Sequence, residues 1–81
     1  KLNKNEKIFA FMPFMHSEIF EDQIISINLY SNLGIKENFN SALKHFNIIR
    51  KFGRFPHRNK ILNRKSTDEE IAFLKTPGSS F

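Results

Sequence analysis

Apolar side chains recur every three or four residues along most of this chain, and proline or glycine separates one such stretch from the next. Spacing of three and four residues places side chains on one face of an α-helix, whereas a strand needs alternation. The separators are Pro13, Gly34, Gly53 and the pair Pro77-Gly78. No stretch alternates steadily, and no hairpin turn sequence is present. The sequence therefore predicts an all-α fold.

The first three predicted helices are bounded by these separators. Pro13 disfavours helical geometry at the residue before it, so the first helix is expected over residues 3–12. Ser17 is a good N-cap for the second helix, and Gly34 suits the position after its end. The third helix is predicted over residues 38–52. These bounds leave short connections, which favour antiparallel helical hairpins.

The last third of the chain adds one or two helices, which gives four to five in all. Pro56 suits the first position of a short helix. Thr67 and Glu70 have the spacing of a capping box, and the helix that they begin is expected to reach about Lys75. Thr76, Pro77 and Gly78 then end it.

A chain of 81 residues forms one domain at most, and ten phenylalanines indicate a dense core or an interface. The second helix is apolar on two sides, which predicts a homo-oligomer or a longer protein. The absence of an initiator methionine predicts that residues 1–81 are a fragment, a processed product or part of a longer chain. The two apolar stripes predicted for the second helix are Phe20, Ile24 and Ile27 on one side, and Ile25, Leu29 and Leu33 on the other.

The chain contains no cysteine, which excludes disulfides and thiolate metal sites and fits a cytoplasmic location. The longest N-terminal apolar run covers residues 8–15 and contains a proline. It is too short to span a membrane, which needs roughly 20 apolar residues, and it lacks the pattern of a secretory signal. We expect no membrane association.

The formal net charge of +5 is unevenly distributed. Residues 38–67 contain eight lysines and arginines and no acid, whereas all eight acids lie outside this segment. A nucleic-acid surface is one interpretation. The favoured one is a basic face that pairs with acidic helices of the same fold, so nucleic acid is not the expected partner.

Three cations surround the predicted start of the short helix. Arg54, His57 and Arg58 could bind a phosphate or carboxylate there, with Arg50 nearby. The alternative is a structural turn. Arg50 projects onto the apolar face of the third helix, where a charge needs a partner, and Glu18 or Asp22 could supply it.

A second polar group precedes the second helix. His16, Glu18 and Asp22 are candidates for a pocket, with His45 or His57 as distant companions. Their spacing is not that of a metal site, because there is no HExxH and no histidine pair four residues apart. We predict no metal and no cofactor. Ser17 is better explained as a helix N-cap than as a member of such a site.

Two long motifs resemble a known family. One is MPFMHSE at residues 12–18, followed by DQ at residues 22–23. The other is FGRFPHRN at residues 52–59, continued by Ile61-Leu62, Arg64, Ser66-Thr67, EEIAFL at residues 69–74 and PGSSF at residues 77–81. Both resemble segments of the bacterial domain-of-unknown-function family 924. Asn63 departs from the pattern, which tends to have glycine.

The resemblance implies a TPR-like stack of helical hairpins, in which residues 1–81 are one helical unit and the C-terminal half of a domain about twice as long. It implies no activity. The favoured function is a binding module for a peptide or a small anionic ligand. One alternative is an enzyme whose pocket lies between the HSE and GRFPHRN motifs, and another is nucleic-acid binding through residues 38–67. The site hypotheses require these two motifs to meet in space.

Overall fold

The computed structural model describes residues 2–77 of the chain. This part contains four α-helices, one short 3-10 helix and no strand: α1 (Lys4–Met15), α2 (Phe20–Leu33), α3 (Lys36–Phe52), the 3-10 helix (Pro56–Arg58) and α4 (Asp68–Leu74). α1 packs on α2, α2 packs on α3, and α4 packs on the 3-10 helix. The predicted all-α fold of helical hairpins is confirmed. Gly78 and the closing motif beyond it lie outside the described residues.

Several predicted helix ends are confirmed by backbone geometry. Gly34 and Gly53 end α2 and α3 with φ of 80° and 76°, which glycine adopts without steric cost. The Thr67–Glu70 capping box begins α4, with both of its hydrogen bonds present. Asn3 and Glu6 form another capping box at α1, which the sequence analysis missed. Local chemistry therefore determines most of the helix boundaries.

The predicted end of the first helix at Met12 is wrong, because α1 continues through Pro13 to Met15. Proline cannot donate to the carbonyl four residues earlier, which here belongs to Phe9. The residue that carries this carbonyl, Phe9, is 72% exposed. The next turn is intact, since the amide of His16 donates to the carbonyl of Met12 over 2.9 Å.

The predicted start of the second helix is also wrong. Ile19 occupies the N-cap position of α2, and its side chain caps nothing. Ser17 stands two residues earlier, where its hydroxyl accepts from the amide of Ile19 over 3.1 Å and donates to Asp22 Oδ2 over 2.7 Å. Ser17 therefore orders the turn before α2. The third helix begins at Lys36, two residues before the predicted position.

The buried face of α2 only partly matches the predicted apolar stripes, since Leu33 is buried and Ile27 is partly buried against the core. Ile24 and Ile25 are exposed. The buried side chains are Gln23, Ser26, Tyr30 and Leu33. Gln23 explains this register, because its Nε2 donates to the carbonyls of Met15 and Ser17, each over 2.7 Å. The last carbonyls of a helix lack partners within it, so this amide caps the end of α1. Self-association through the exposed residues stays a prediction.

The core consists of two clusters. The first lies between α1, α2 and α3 and contains Met15, Tyr30, Leu33 and Ala42. The Tyr30 hydroxyl is satisfied by donating to the carbonyl of Ile8 over 2.9 Å, and burial raises the Tyr30 pKa. The second cluster joins α3 to the segment after it and contains Ile48, Ile49 and Phe55, with Phe52 and Phe73 against them. The second cluster therefore fixes the segment that follows α3.

Asn63 is the one described non-glycine residue with a positive φ, at 55°. It closes a turn in which the amide of Arg64 donates to the carbonyl of Asn59 over 2.8 Å. Asparagine tolerates this left-handed geometry better than most residues, and glycine tolerates it fully. The glycine typical of the resembling family at this position therefore has a conformational reason.

We expect Asn63→Val to lower the free energy of unfolding by about 1–2 kcal/mol, because a β-branched side chain clashes in the left-handed region. Asn63→Gly should stay within about 0.5 kcal/mol of the parent. Asn47→Val is the control, since Asn47 is exposed within α3 and should change stability by less than about 0.5 kcal/mol. Urea denaturation followed by circular dichroism gives all three values. Equal losses at the two positions would contradict the backbone argument.

Candidate functional site

The bend that follows α3 is held against the start of α2. Gly53 ends α3, Phe55 is extended, and Pro56 begins the 3-10 helix. The backbone amide of Phe55 donates to Glu18 Oε2 over 2.7 Å. The amide of Arg58 donates to the carbonyl of Phe55 over 3.0 Å. The FPHRN bend and the HSE turn are therefore neighbours in space.

Glu18 is paired with Arg64, and this pair joins residues far apart in the sequence. Arg64 Nη1 and Nη2 donate to the two carboxylate oxygens of Glu18 over 2.7 and 3.0 Å. This two-bond geometry is the strong form of such a pair. The hydrogen bonds from Arg64 lower the Glu18 pKa, against an opposing effect of burial. Glu18 thus acts as a structural anion that fastens the bend.

Arg54 forms the second ion pair, with Glu70. Its Nε and Nη2 donate to Glu70 Oε2 and Oε1 over 2.8 and 2.7 Å, and Nη2 also donates to the carbonyl of Lys65 over 2.8 Å. The Arg54 guanidinium lowers the pKa of the buried Glu70 to about 2. Buried Asn59 links the two pairs, because its amide group contacts both Arg64 and Glu70. Most of the second motif is therefore structural.

Beside the bend lies a pocket of about 320 Å³. Its lining residues come from four elements of the fold and are His16, His45, His57, Arg58 and Ile61. The rings of His16 and His45 are stacked, with centroids 5.3 Å apart. Arg58 Nη2 donates to the carbonyl of His16 over 2.8 Å, and its guanidinium lies over the ring of Phe55 at 4.6 Å. Both contacts orient the guanidinium before any ligand arrives.

The histidines of the pocket differ in burial and charge. His45 is buried, and its Nδ1 donates to the carbonyl of Ser41 over 2.6 Å. Burial lowers the His45 pKa, and it also lowers the pKa of His57, where Arg58 adds to the effect. Near neutral pH these imidazoles therefore favour the neutral form, and Arg58 is the permanent cation of the pocket.

The predicted site residues separate into two groups. His16, His57 and Arg58 line the pocket, and Glu18 lies behind the bend. Asp22 accepts the hydrogen bond from Ser17. Arg54 borders a different groove beside Glu70.

Arg50 contradicts the prediction made for it. It is exposed on α3, and Glu18, one of its two expected partners, is bound to Arg64. The α3 register turns Arg50 towards solvent while Ile49 is buried beside it. A helical wheel that considers only apolar residues could not predict the buried face of α3, because that face includes His45 as well as Ile48.

His45 entered the sequence analysis only as a distant metal ligand. Its position three residues after Ala42 and four before Ile49 gave the available signal, because these neighbours are buried on the same face. Within residues 2–77, no group of three histidine, aspartate or glutamate side chains is arranged to hold a metal ion. No described helix is both long and apolar enough to cross a bilayer.

Comparison with known proteins places the chain in a family. The sequence model of the family described as "Bacterial protein of unknown function (DUF924)" matches residues 1–78. No curated protein matches. The solved structure of a protein of unknown function, ATU0120 from Agrobacterium tumefaciens, is similar with a TM-score of 0.85 and 36% identity. The similarity covers 91% of this chain and 42% of that one, so this chain spans less than half the length of the solved protein. The chain belongs to the DUF924 family of bacterial proteins of unknown function.

Proposed function

We propose that the chain is part of a TPR-like helical binding module and that the pocket beside the FPHRN bend takes a small anionic ligand. The observation that carries this proposal is the convergence of Arg58 with three imidazoles in one concavity. No carboxylate is among its described lining residues. A guanidinium donates to carboxylates and phosphates, and a neutral imidazole has one N–H to add. The Nδ1–H of His45 is bound to the carbonyl of Ser41, so the imidazole donors for a ligand are those of His16 and His57.

The surrounding ion pairs support this assignment. Glu18 accepts a hydrogen bond from the backbone of the bend, and Arg64 neutralises it through both oxygens. Within residues 2–77 Arg58 forms no ion pair with an acid; its guanidinium binds the carbonyl of His16 and lies over Phe55. Its positive charge is therefore available to a ligand, whereas Arg54 and Arg64 form ion pairs with Glu70 and Glu18.

The size of the pocket favours a small ligand over an extended peptide. Small-molecule sites usually range from roughly 300 to 1,000 Å³, and a pocket of about 320 Å³ lies at the lower end. An extended peptide would need an open groove along several helices. Nucleic acid is disfavoured because two arginines of the basic segment 38–67 are bound to acids of the same fold.

We expect Arg58→Gln to weaken binding of methyl phosphate by about tenfold or more, because a charge-assisted hydrogen bond is lost. Arg50→Gln removes the same charge from an exposed site outside the pocket, so it should leave the affinity within about twofold. Isothermal titration calorimetry at low ionic strength on the 81-residue chain measures both.

Arg58 also bonds to the carbonyl of His16, so thermal unfolding must show that Arg58→Gln is folded. His57→Asn is the second variant, and it should weaken binding without removing a permanent charge. Equal losses in Arg58→Gln and Arg50→Gln would indicate a non-specific charge effect. Absence of binding by the parent chain would overturn the proposed function.

A further inference from the structure

One apolar side chain is among the residues that line the pocket. It is Ile61, which is 83% exposed, more than any other large apolar residue within residues 2–77. Such exposure forgoes the gain that burying an isoleucine would bring. A single exposed apolar residue is common on protein surfaces, so the position of Ile61 has to be judged by the structure that holds it.

The turn that carries Ile61 is hydrogen-bonded on both sides. The amide of Leu62 donates to the carbonyl of Arg58 over 3.0 Å, and the amide of Arg64 donates to the carbonyl of Asn59 over 2.8 Å. Asn59 is buried and also bonds through its side chain to Ser66 and Arg64. Ile61 thus lies on an ordered turn, three residues after Arg58, the cation that lines the same pocket.

We infer that the ligand is amphiphilic: its anionic group lies against Arg58, and a short apolar chain covers Ile61. This inference rests on the proposed function and adds the chemical class of the ligand. A bare anion would leave Ile61 exposed, whereas an alkyl chain of a few carbons leaving the pocket past Ile61 removes both surfaces from water. The chemistry fits an alkyl phosphate or a medium-chain carboxylate.

The test compares hexyl phosphate, below its micelle concentration, with methyl phosphate by calorimetry on the 81-residue chain. We expect hexyl phosphate to bind about tenfold tighter or more, because each buried methylene adds to the affinity. Ile61→Ser should reduce the ratio of the two affinities to about twofold, and this ratio is compared within each variant. Leu62→Ser is the matched control, since Leu62 is 53% exposed, adjacent and not part of the pocket lining.

Each outcome has a separate meaning. Methyl phosphate binding without a gain from the hexyl chain overturns this inference and leaves the proposed function standing, whereas no binding of either phosphate overturns both. An advantage that survives Ile61→Ser, or equal binding of hexanol, also overturns the inference. Vesicles of phosphatidylcholine with and without phosphatidic acid separate a monomeric amphiphile from a lipid surface. Binding to the acidic vesicles without a preference for hexyl phosphate would contradict the inference.

Discussion

Replacing Phe55 with alanine is expected to lower the free energy of unfolding by about 3–5 kcal/mol, the usual cost of deleting a fully buried phenyl ring. Phe55 has 0% exposure and packs with Ile48 and Ile49 in the second core cluster. Its ring also contacts the rings of His45 and His57. A small domain has a total stability of roughly 5–15 kcal/mol, so this single change could leave the chain close to unfolding at room temperature.

Urea denaturation followed by circular dichroism measures this loss. Phe9→Ala is the matched control, because Phe9 is exposed and its removal should change stability by less than about 0.5 kcal/mol. Phe55→Leu should keep more of the core while removing the ring that Arg58 contacts. Weaker binding of methyl phosphate by a folded Phe55→Leu variant would show that the second core cluster supports the pocket. A loss below about 1 kcal/mol for Phe55→Ala would contradict the packing described here.

Glu70→Gln is expected to destabilise the chain at pH 7 by about 2 kcal/mol, because it removes the charge that Arg54 and the amide of Thr67 bind. The Glu70 pKa is lowered from 4.5 to about 2 in the folded chain. A carboxyl with a lower pKa when folded stabilises the fold fully above its unfolded-state pKa. That contribution is lost as the pH falls through the folded-state pKa. The parent chain should therefore lose stability between about pH 5 and pH 2.

The pH dependence distinguishes the ion pair from a general effect of acid. Glu70→Gln should start from a lower stability at pH 7 and fall less steeply between pH 5 and pH 2, although Glu18 still contributes in the same direction. Glu69→Gln has the same charge change at the adjacent, exposed position and should follow the parent curve. If Glu69→Gln and Glu70→Gln have the same curve, the Arg54–Glu70 pair is not a main source of the acid sensitivity.

The sequence predicted the helical class and most helix ends because these depend on neighbouring residues. Left-handed glycines, capping boxes and a proline at a helix start act over three or four residues, and their geometry is the same wherever they occur. The failure at Pro13 has an equally local description but a non-local cause. A proline inside a helix either kinks or ends it, and here α1 packs on α2 and continues to Met15.

The sequence could also predict that the HSE and FPHRN motifs carry charged groups, but it could not assign partners to them. Glu18 was one of two candidate partners for Arg50, yet it binds Arg64, 46 residues away. The predicted set of pocket residues was also incomplete, because His45 reaches the pocket only through the packing of α3 against the end of α1. Charge and spacing identify candidates; distances between elements decide which candidates meet.

By itself, the sequence determined an all-helical chain, most of the ends of its helices and the segments that hold its cations and acids. These properties follow from interactions between residues close in the chain. Only the tertiary structure decided that Gln23 lies on the buried face of α2, that Arg54 and Arg64 are bound to acids, and that Arg58 faces the histidines. Those outcomes depend on which helix faces pack together. A polar group can be buried at low cost in free energy only when a partner, often distant in the sequence, satisfies its hydrogen bonds.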